Sequence, residues 1–151
     1  MRIEASRPAD APALTRIAHE AKRHWGYPER WIRRWRAQLT VTAAYVRANP
    51  TYGAVEGREI VGFCALRLDG DRAHVDHLWV IPAAMGRGVG RRLFRRCEER
   101  AARAGASRLC IESDPNAEGF YLAMGAVAAG RKAAPMDGRR RYLPLLEKRL
   151  G

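Results

Sequence analysis

Apolar positions along the chain change period repeatedly, and each change marks a boundary between elements. Arg2 to Ser6 alternates and predicts a short strand. Pro8-Ala9-Asp10 then opens a helical pattern with Leu14, Ile17, Ala18 and Ala21 on one face, expected to end near His24 to Gly26. Pro28 starts a second helix carrying Trp31, Ile32, Trp35 and Leu39, and Thr42 caps a short third piece ending before Pro50. Beyond Pro50 the period shortens to two. Tyr52–Val55, a turn at Glu56-Gly57-Arg58, and Ile60–Leu68 predict a hairpin, and Asp69-Gly70-Asp71 turns the chain into a third strand, Ala73–Val80. From Gly88 to Ala104 the helical period returns, with Val89, Leu93, Cys97, Ala101 and Ala104 as one stripe and arginines and glutamates opposite. Short strands at Arg108–Ile111, Ala126–Ala129 and Tyr142–Leu146, with a helix at Ala117–Met124, complete a mixed α/β order around one sheet.

The 151 residues contain no internal repeat or low-complexity linker, so residues 1–151 are expected to form a single domain. A chain of this length buries roughly 68–70% of its unfolded surface, enough for a core without staples. No apolar stretch reaches the ~18 residues of a membrane span, and Met1-Arg2-Ile3-Glu4 lacks the apolar region of a signal peptide. The expectation is a cytoplasmic protein without a membrane partner.

Three cysteines, Cys64, Cys97 and Cys110, exclude by count both a disulfide framework and a four-thiolate zinc site, and each is expected to pack in an apolar segment. His19, His24, His74 and His77 fit no zinc spacing, so no metal is expected. The net charge is +12. Lysine occurs only at 22, 132 and 148, so nearly all of this charge is arginine, accompanied by abundant alanine. That bias reads as source composition and argues against a nucleic-acid surface, while leaving a polyanionic small ligand compatible.

The most informative stretch is Leu78-Trp79-Val80-Ile81-Pro82 followed by Met85-Gly86-Arg87-Gly88-Val89-Gly90. A strand ending in a glycine-rich turn that opens a helix points backbone N–H groups outward at the positive end of the helix dipole, which binds phosphate. Gly86, Gly88 and Gly90 let the backbone approach a diphosphate, and Arg87, Arg91 and Arg92 supply cationic contacts. A packing loop before a helix would show the same glycines. No Gly-Lys-Ser/Thr follows as in a Walker A loop, and no repeated βαβ pattern surrounds the strand as in a Rossmann domain.

Val80-x-Pro82 with Gly86-Arg87-Gly88-Val89-Gly90 resembles the acetyl-CoA pyrophosphate loop of the GNAT N-acetyltransferase superfamily. Asn116-Ala117-Glu118-Gly119-Phe120-Tyr121-Leu122-Ala123-Met124-Gly125 resembles that superfamily's second motif. Two departures stand out: Met85 replaces the usual Gln or Arg, and Ala126 the usual Phe. The resemblance implies an α+β fold: one mixed, mostly antiparallel sheet of about seven strands flanked by about four helices, splayed between the Leu78 and Cys110 strands. It also implies acetyl-CoA as cofactor. The pantetheine arm would pair with backbone groups of Leu78, Trp79 and Val80, and a primary amine of a small molecule or peptide would attack the thioester directly.

Roles follow from the same resemblance. Period-2 alternation places His74, Asp76, Leu78 and Val80 on one strand face. The family position four before Val80 often holds the general base, which here is Asp76, with Glu112 on the next strand as rival. Solvation of a sheet edge or an arginine pair would also explain Asp76. Tyr121 matches the tyrosine that protonates the leaving thiolate, or it only packs its helix; Asn116 contacts the cofactor or caps that helix. His24, Trp25 and Tyr27 lie where family members shape the acceptor pocket, with His74 beside the base, although packing with Trp31 and Trp35 would account for the aromatic residues equally. Two competing classes remain open: an acyl-CoA-binding regulatory module without catalysis, and a polyanion-directed acetyltransferase acting on a charged tRNA. The segment Tyr142–Leu150 is apolar enough to pair with a second copy in a homodimer, or it is a self-contained last strand.

Overall fold

The computed structural model describes residues 1–151. They form two compact units: Met1–Leu66 with His77–Cys97, and Arg67–Asp76 with Glu98–Gly151.

In the first unit, β1 (Arg2–Ala5) leads into α1 (Ala11–His24). The Asp10 carboxylate accepts from the Arg7 N–H at 2.8 Å and fixes the entry, and Lys22, Arg23 and His24 complement the negative end of the helix. Leu14, Ile17, Ala18 and Ala21 are buried as the pattern requires. The stretch read as one helix from Pro28 to Leu39 is two, α2 (Glu29–Arg34) and α3 (Arg36–Leu39). The break falls at Trp35, whose backbone (φ −87°, ψ 4°) leaves helical geometry while its buried ring packs edge-on to Tyr27 at 5.0 Å and Trp31 at 5.9 Å. α4 (Ala43–Ala48) begins at the expected cap: Thr42 Oγ1 accepts from the Tyr45 N–H at 3.0 Å. β2 (Thr51–Glu56) pairs antiparallel with β1 and with β3 (Glu59–Asp69), carrying a bulge between Ala54 and Val55. Leu14, Ile32, Phe63, Leu93 and Phe94 are fully buried and form the heart of this unit.

β4 (Arg72–Val80) runs through both units, and α5 (Val89–Arg103) follows it. Gly62 on β3 marks a tight approach of the two strands: an added Cβ would lie 2.9 Å from the Trp79 carbonyl oxygen and 3.2 Å from Leu93 Cδ1.

In the second unit β5 (Arg108–Glu112), α6 (Glu118–Ala123), β6 (Val127–Ala133) and β7 (Tyr142–Arg149) follow in order. β6 and β7 are longer than their apolar cores suggest, because Arg131, Lys132, Lys148 and Arg149 continue the ladders. The seven strands are ordered β1-β2-β3-β4-β5-β7-β6. β4 and β5 pair parallel from Arg72↔Arg108 to Val75↔Ile111, and β4 runs on to Val80 beyond the last registered pair. β7 is paired on both sides within its own chain, to β5 and β6, so Tyr142–Leu150 is the self-contained strand and not a free edge for a second copy. Six α-helices and three 3-10 turns replace the four or so helices expected, chiefly because the N-terminal helical segment is divided. No helix is long and apolar enough to cross a membrane.

Candidate functional site

In the first unit, Leu78, Trp79 and Val80 end β4, half-buried, and the Ile81 N–H donates to the Val61 carbonyl at 2.9 Å, which anchors the start of the turn. A 3-10 turn (Pro82–Ala84) carries the chain to Gly86 and Gly88, whose φ angles are +78° and +81°. Nothing lies within 4 Å of where a Cβ on either glycine would project, so the rim here is bare backbone facing open space. The first bond of α5 runs from the Arg92 N–H to the Gly88 carbonyl at 3.1 Å, which leaves the N–H groups of Val89, Gly90 and Arg91 ahead of the helical ladder. Val89 is buried and holds this end of the helix down, while Arg91 is exposed. This geometry suits an anion bound by main-chain donors.

Two of the arginines read as phosphate contacts are engaged elsewhere. Arg87 donates to Glu56 Oε1 at 2.6 Å, and Arg92 to the Met1 carbonyl at 3.1 Å. The Arg87–Glu56 pair is half-exposed, so opening it costs about 0–1 kcal/mol.

The segment expected at the acceptor pocket is divided. Tyr27 stacks on Trp31 at 5.9 Å and meets Trp35 edge-on, the packing alternative, while His24 and Trp25 are exposed and touch each other edge to face at 5.0 Å. Lys22 was not anticipated. Its side chain is buried, with Nζ 4.3 Å from the Trp35 ring centre, 5.0 Å from Tyr27 and 5.9 Å from Trp79. Cation–π attraction from several faces offsets part of the desolvation of that ammonium. A lysine following Ala18 and Ala21 on the apolar side of α1 was the legible anomaly. On β4 the Trp79 indole N–H donates to His77 Nδ1 at 3.1 Å, which leaves the ring proton of neutral His77 on Nε2.

In the second unit, His74, Asp76 and Glu112 line one cleft of about 290 Å³, whose apolar wall includes Ile111 and Leu145. Each has an ionic neighbour: Arg67 Nε is 3.6 Å from Asp76 Oδ1, Lys132 Nζ is 3.3 Å from Glu112 Oε1, and His74 Nε2 is 3.6 Å from Asp69 Oδ2. Asp76 is the less exposed carboxylate, 24% of its side chain against 47% for Glu112. No local pattern in the sequence marks Arg67 or Lys132 as a partner of these carboxylates.

Cys110 lines the same cleft half-buried, against the expectation of a core cysteine; β5 turns Leu109 and Ile111 into the core and Cys110 to the other face. Burial first, and Glu147 second, push its thiol pKa above the ordinary value. A raised pKa means less thiolate at any given pH, so iodoacetamide at pH 8 should alkylate Cys110 more slowly than a free cysteine peptide, the gap closing as pH rises. Faster alkylation, followed by peptide mass spectrometry, would contradict the assignment.

Asn116 and Tyr121 stand apart from the cleft lining. Asp114 caps the 3-10 turn Pro115–Ala117: its Oδ1 accepts from the Asn116 N–H at 2.8 Å and from Asn116 Nδ2 at 2.9 Å. Asn116 is therefore held by the cap and is not itself the cap. An acidic residue directly before proline was the available signal. Tyr121 is buried on α6, edge-on to Phe120 at 5.2 Å, and its carbonyl accepts from the Ala126 N–H at 3.0 Å, which closes the helix.

Comparison with known proteins yields a consistent family. A GCN5-related N-acetyltransferase structure from Rhodopseudomonas palustris superposes with a TM-score of 0.80 at 26% identity, covering 99% of this chain and 95% of that one. PaiA N-acetyltransferase from Thermoplasma acidophilum, solved in complex with coenzyme A, superposes at 0.75 with 20% identity, covering 99% of each chain. Glucosamine 6-phosphate N-acetyltransferase 1 of Oryza sativa subsp. japonica is 36% identical over 74 residues, 49% of this chain and 45% of the relative. The match thus spans less than half the length of that curated relative. The model of the Acetyltransferase (GNAT) family matches residues 12–126, which include the glycine turn, the cleft strands β4 and β5, and α6. The chain belongs to the Acetyltransferase (GNAT) family.

Proposed function

We propose that the chain is an acetyl-CoA-dependent N-acetyltransferase that moves an acetyl group to a primary amine of a small molecule or peptide, in the cytoplasm, with residues 1–151 working as one domain. The observation that carries this reading is the bare-backbone turn at Gly86 and Gly88 opening onto the start of α5, in a chain of the GNAT family. The residues fit the cofactor's diphosphate: main-chain donors of Val89, Gly90 and Arg91 would hold it, and neither Gly86 nor Gly88 has a Cβ to block it. Bound acetyl-CoA supplies an acyl group activated as a thioester.

This chain's residues then supply binding and proton transfer. Leu78, Trp79 and Val80 offer strand backbone to the amides of the pantetheine arm, as an added strand would take them. A main-chain N–H polarises the thioester carbonyl. Asp76 takes the proton that the attacking amine loses, and Tyr121 gives one to the departing sulfur. Asn116 would contact the arm. His74, which lines the cleft with Asp76, bounds the acceptor there. The fold alone is equally compatible with an acyl-CoA-binding regulatory module, but such a module has no use for Asp76 or Tyr121.

The test is calorimetric uptake of coenzyme A by the purified protein, followed by an amine panel monitored by free coenzyme A release. The expected result is one-to-one binding and turnover on at least one amine. No uptake overturns the reading; uptake without turnover on any amine favours the regulatory module.

A further inference from the structure

The cleft of the second unit carries a charge pattern that the proposed chemistry does not use. On the face formed by alternate residues of β4, Asp76, His74 and Arg72 follow in order, and all three line the cleft. Cys110 and Glu112 of β5 and Leu145 and Glu147 of β7 continue the same face through the pairs Cys110↔Glu147 and Glu112↔Leu145. Every carboxylate in the lining already has a cation close by: Asp76 has Arg67 at 3.6 Å, Glu112 has Lys132 at 3.3 Å, and Glu147 has Arg108 at 3.5 Å. Of the two lining arginines, Arg67 is so engaged, whereas Arg72 forms an ion pair with no carboxylate. The unmet charge in the cleft is therefore positive, at the end away from Asp76.

We infer that the acceptor is an amine bearing a second, anionic group, carboxylate or phosphate, and that Arg72 is the residue that selects it. This rests on the acetyl-transfer reading, because the amine end is placed by Asp76. Asp76 and Arg72 are four positions apart along the strand, a span of roughly 13 Å between α-carbons. The long guanidinium side chain shortens that span, so a compact molecule reaches from base to guanidinium. The cleft volume of about 290 Å³ suits a ligand of that size, and the wall of Ile111, Leu145 and Leu146 takes an apolar middle. A guanidinium is the preferred partner for either anion, since its planar donor fork matches both. An acceptor with a second cation instead would meet carboxylates that already have partners, and an arginine that repels it.

The test compares matched acceptors that differ only in the anion: glucosamine against glucosamine 6-phosphate, and an ω-amino acid against the amine lacking its carboxylate. Wild type should prefer the anionic member of at least one pair, and the pair that shows the preference identifies phosphate or carboxylate. A charge-assisted contact to Arg72 sets the expected preference at roughly tenfold to a hundredfold in kcat/KM. Arg72→Gln should erase it by raising KM for the anionic acceptor, with kcat and the neutral acceptor little changed, and Arg72→Lys should restore part of it. A cleft that merely needs Arg72 for packing would lose both acceptors together. Equal kcat/KM within both pairs, or a preference that survives Arg72→Gln, overturns the assignment while leaving acetyl transfer intact. Coenzyme A uptake measured on the same preparations separates the two readings. If it is absent, acetyl transfer fails, and the cleft is then judged by whether the anionic amine raises the melting temperature of wild type and not of Arg72→Gln.

Discussion

Asp76→Asn is expected to lower kcat/KM for acetyl transfer by roughly a hundred- to ten-thousand-fold, the usual contribution of a positioned general base. Folding should barely change. The Arg67–Asp76 contact is 3.6 Å long with Arg67 half-exposed, and pairs of that kind contribute about 0–1 kcal/mol. A large kinetic loss with an unshifted melting temperature is the signature of proton transfer, and a structural ion pair does not produce it. Glu112→Gln is the control, because Glu112 lines the same cleft and is more exposed. If Glu112→Gln carries the loss and Asp76→Asn does not, the base has been misassigned. Tyr121→Phe completes the set: kcat should fall with coenzyme A affinity unchanged, and unaltered turnover would leave Tyr121 with packing alone.

The second large effect concerns stability. Gly62→Val places branched carbons where even a Cβ would meet the Trp79 carbonyl at 2.9 Å, Leu93 Cδ1 at 3.2 Å and Val80 Cγ2 at 3.3 Å. The first of these neighbours is backbone and cannot rotate away, so β3 and β4 must part. Overpacking of this sort costs about 1–3 kcal/mol, occasionally more. In urea the unfolding midpoint should drop with an unchanged slope. A midpoint equal to wild type would show that the strands yield more easily than their spacing implies. Because the strain falls on the last residues of β4, coenzyme A binding should weaken in the folded fraction as well.

The elements were legible wherever one face was apolar and the period was clean. α1 and α5 came through within a residue or two because Leu14, Ile17, Ala18 and Ala21, and Leu93, Cys97 and Ala101, are consecutive rungs of one buried stripe. The Thr42 cap and the Glu56-Gly57-Arg58 turn were readable for the same local reason. The break at Trp35 was not, since it depends on where three aromatic rings settle, a tertiary fact with no local signature. The far ends of β6 and β7 were missed because their basic residues join the ladders through backbone groups, to which hydrophobic patterning is blind.

The site divides along a similar line. Glycine positions in the turn were visible, since a main-chain binding surface is written directly in residue type. Side-chain partnerships were not: Arg67 lies nine residues from Asp76, Lys132 twenty from Glu112, and Glu56 thirty-one from Arg87. Sequence could propose Arg87 as a phosphate ligand, but only the fold shows that Glu56 competes for it.

The scarcity of lysine acquires a meaning beside Lys22. An amine is the group that a thioester acylates, and the chain has only three lysine side chains. Lys22 is shut beneath aromatic rings, Lys132 sits against Glu112, and Lys148 is clasped by Glu98 at 2.8 Å. The remaining positive charge is almost wholly guanidinium, which keeps its proton and is no nucleophile. The protein is thereby highly cationic while presenting few side-chain amines to the very donor it is proposed to handle.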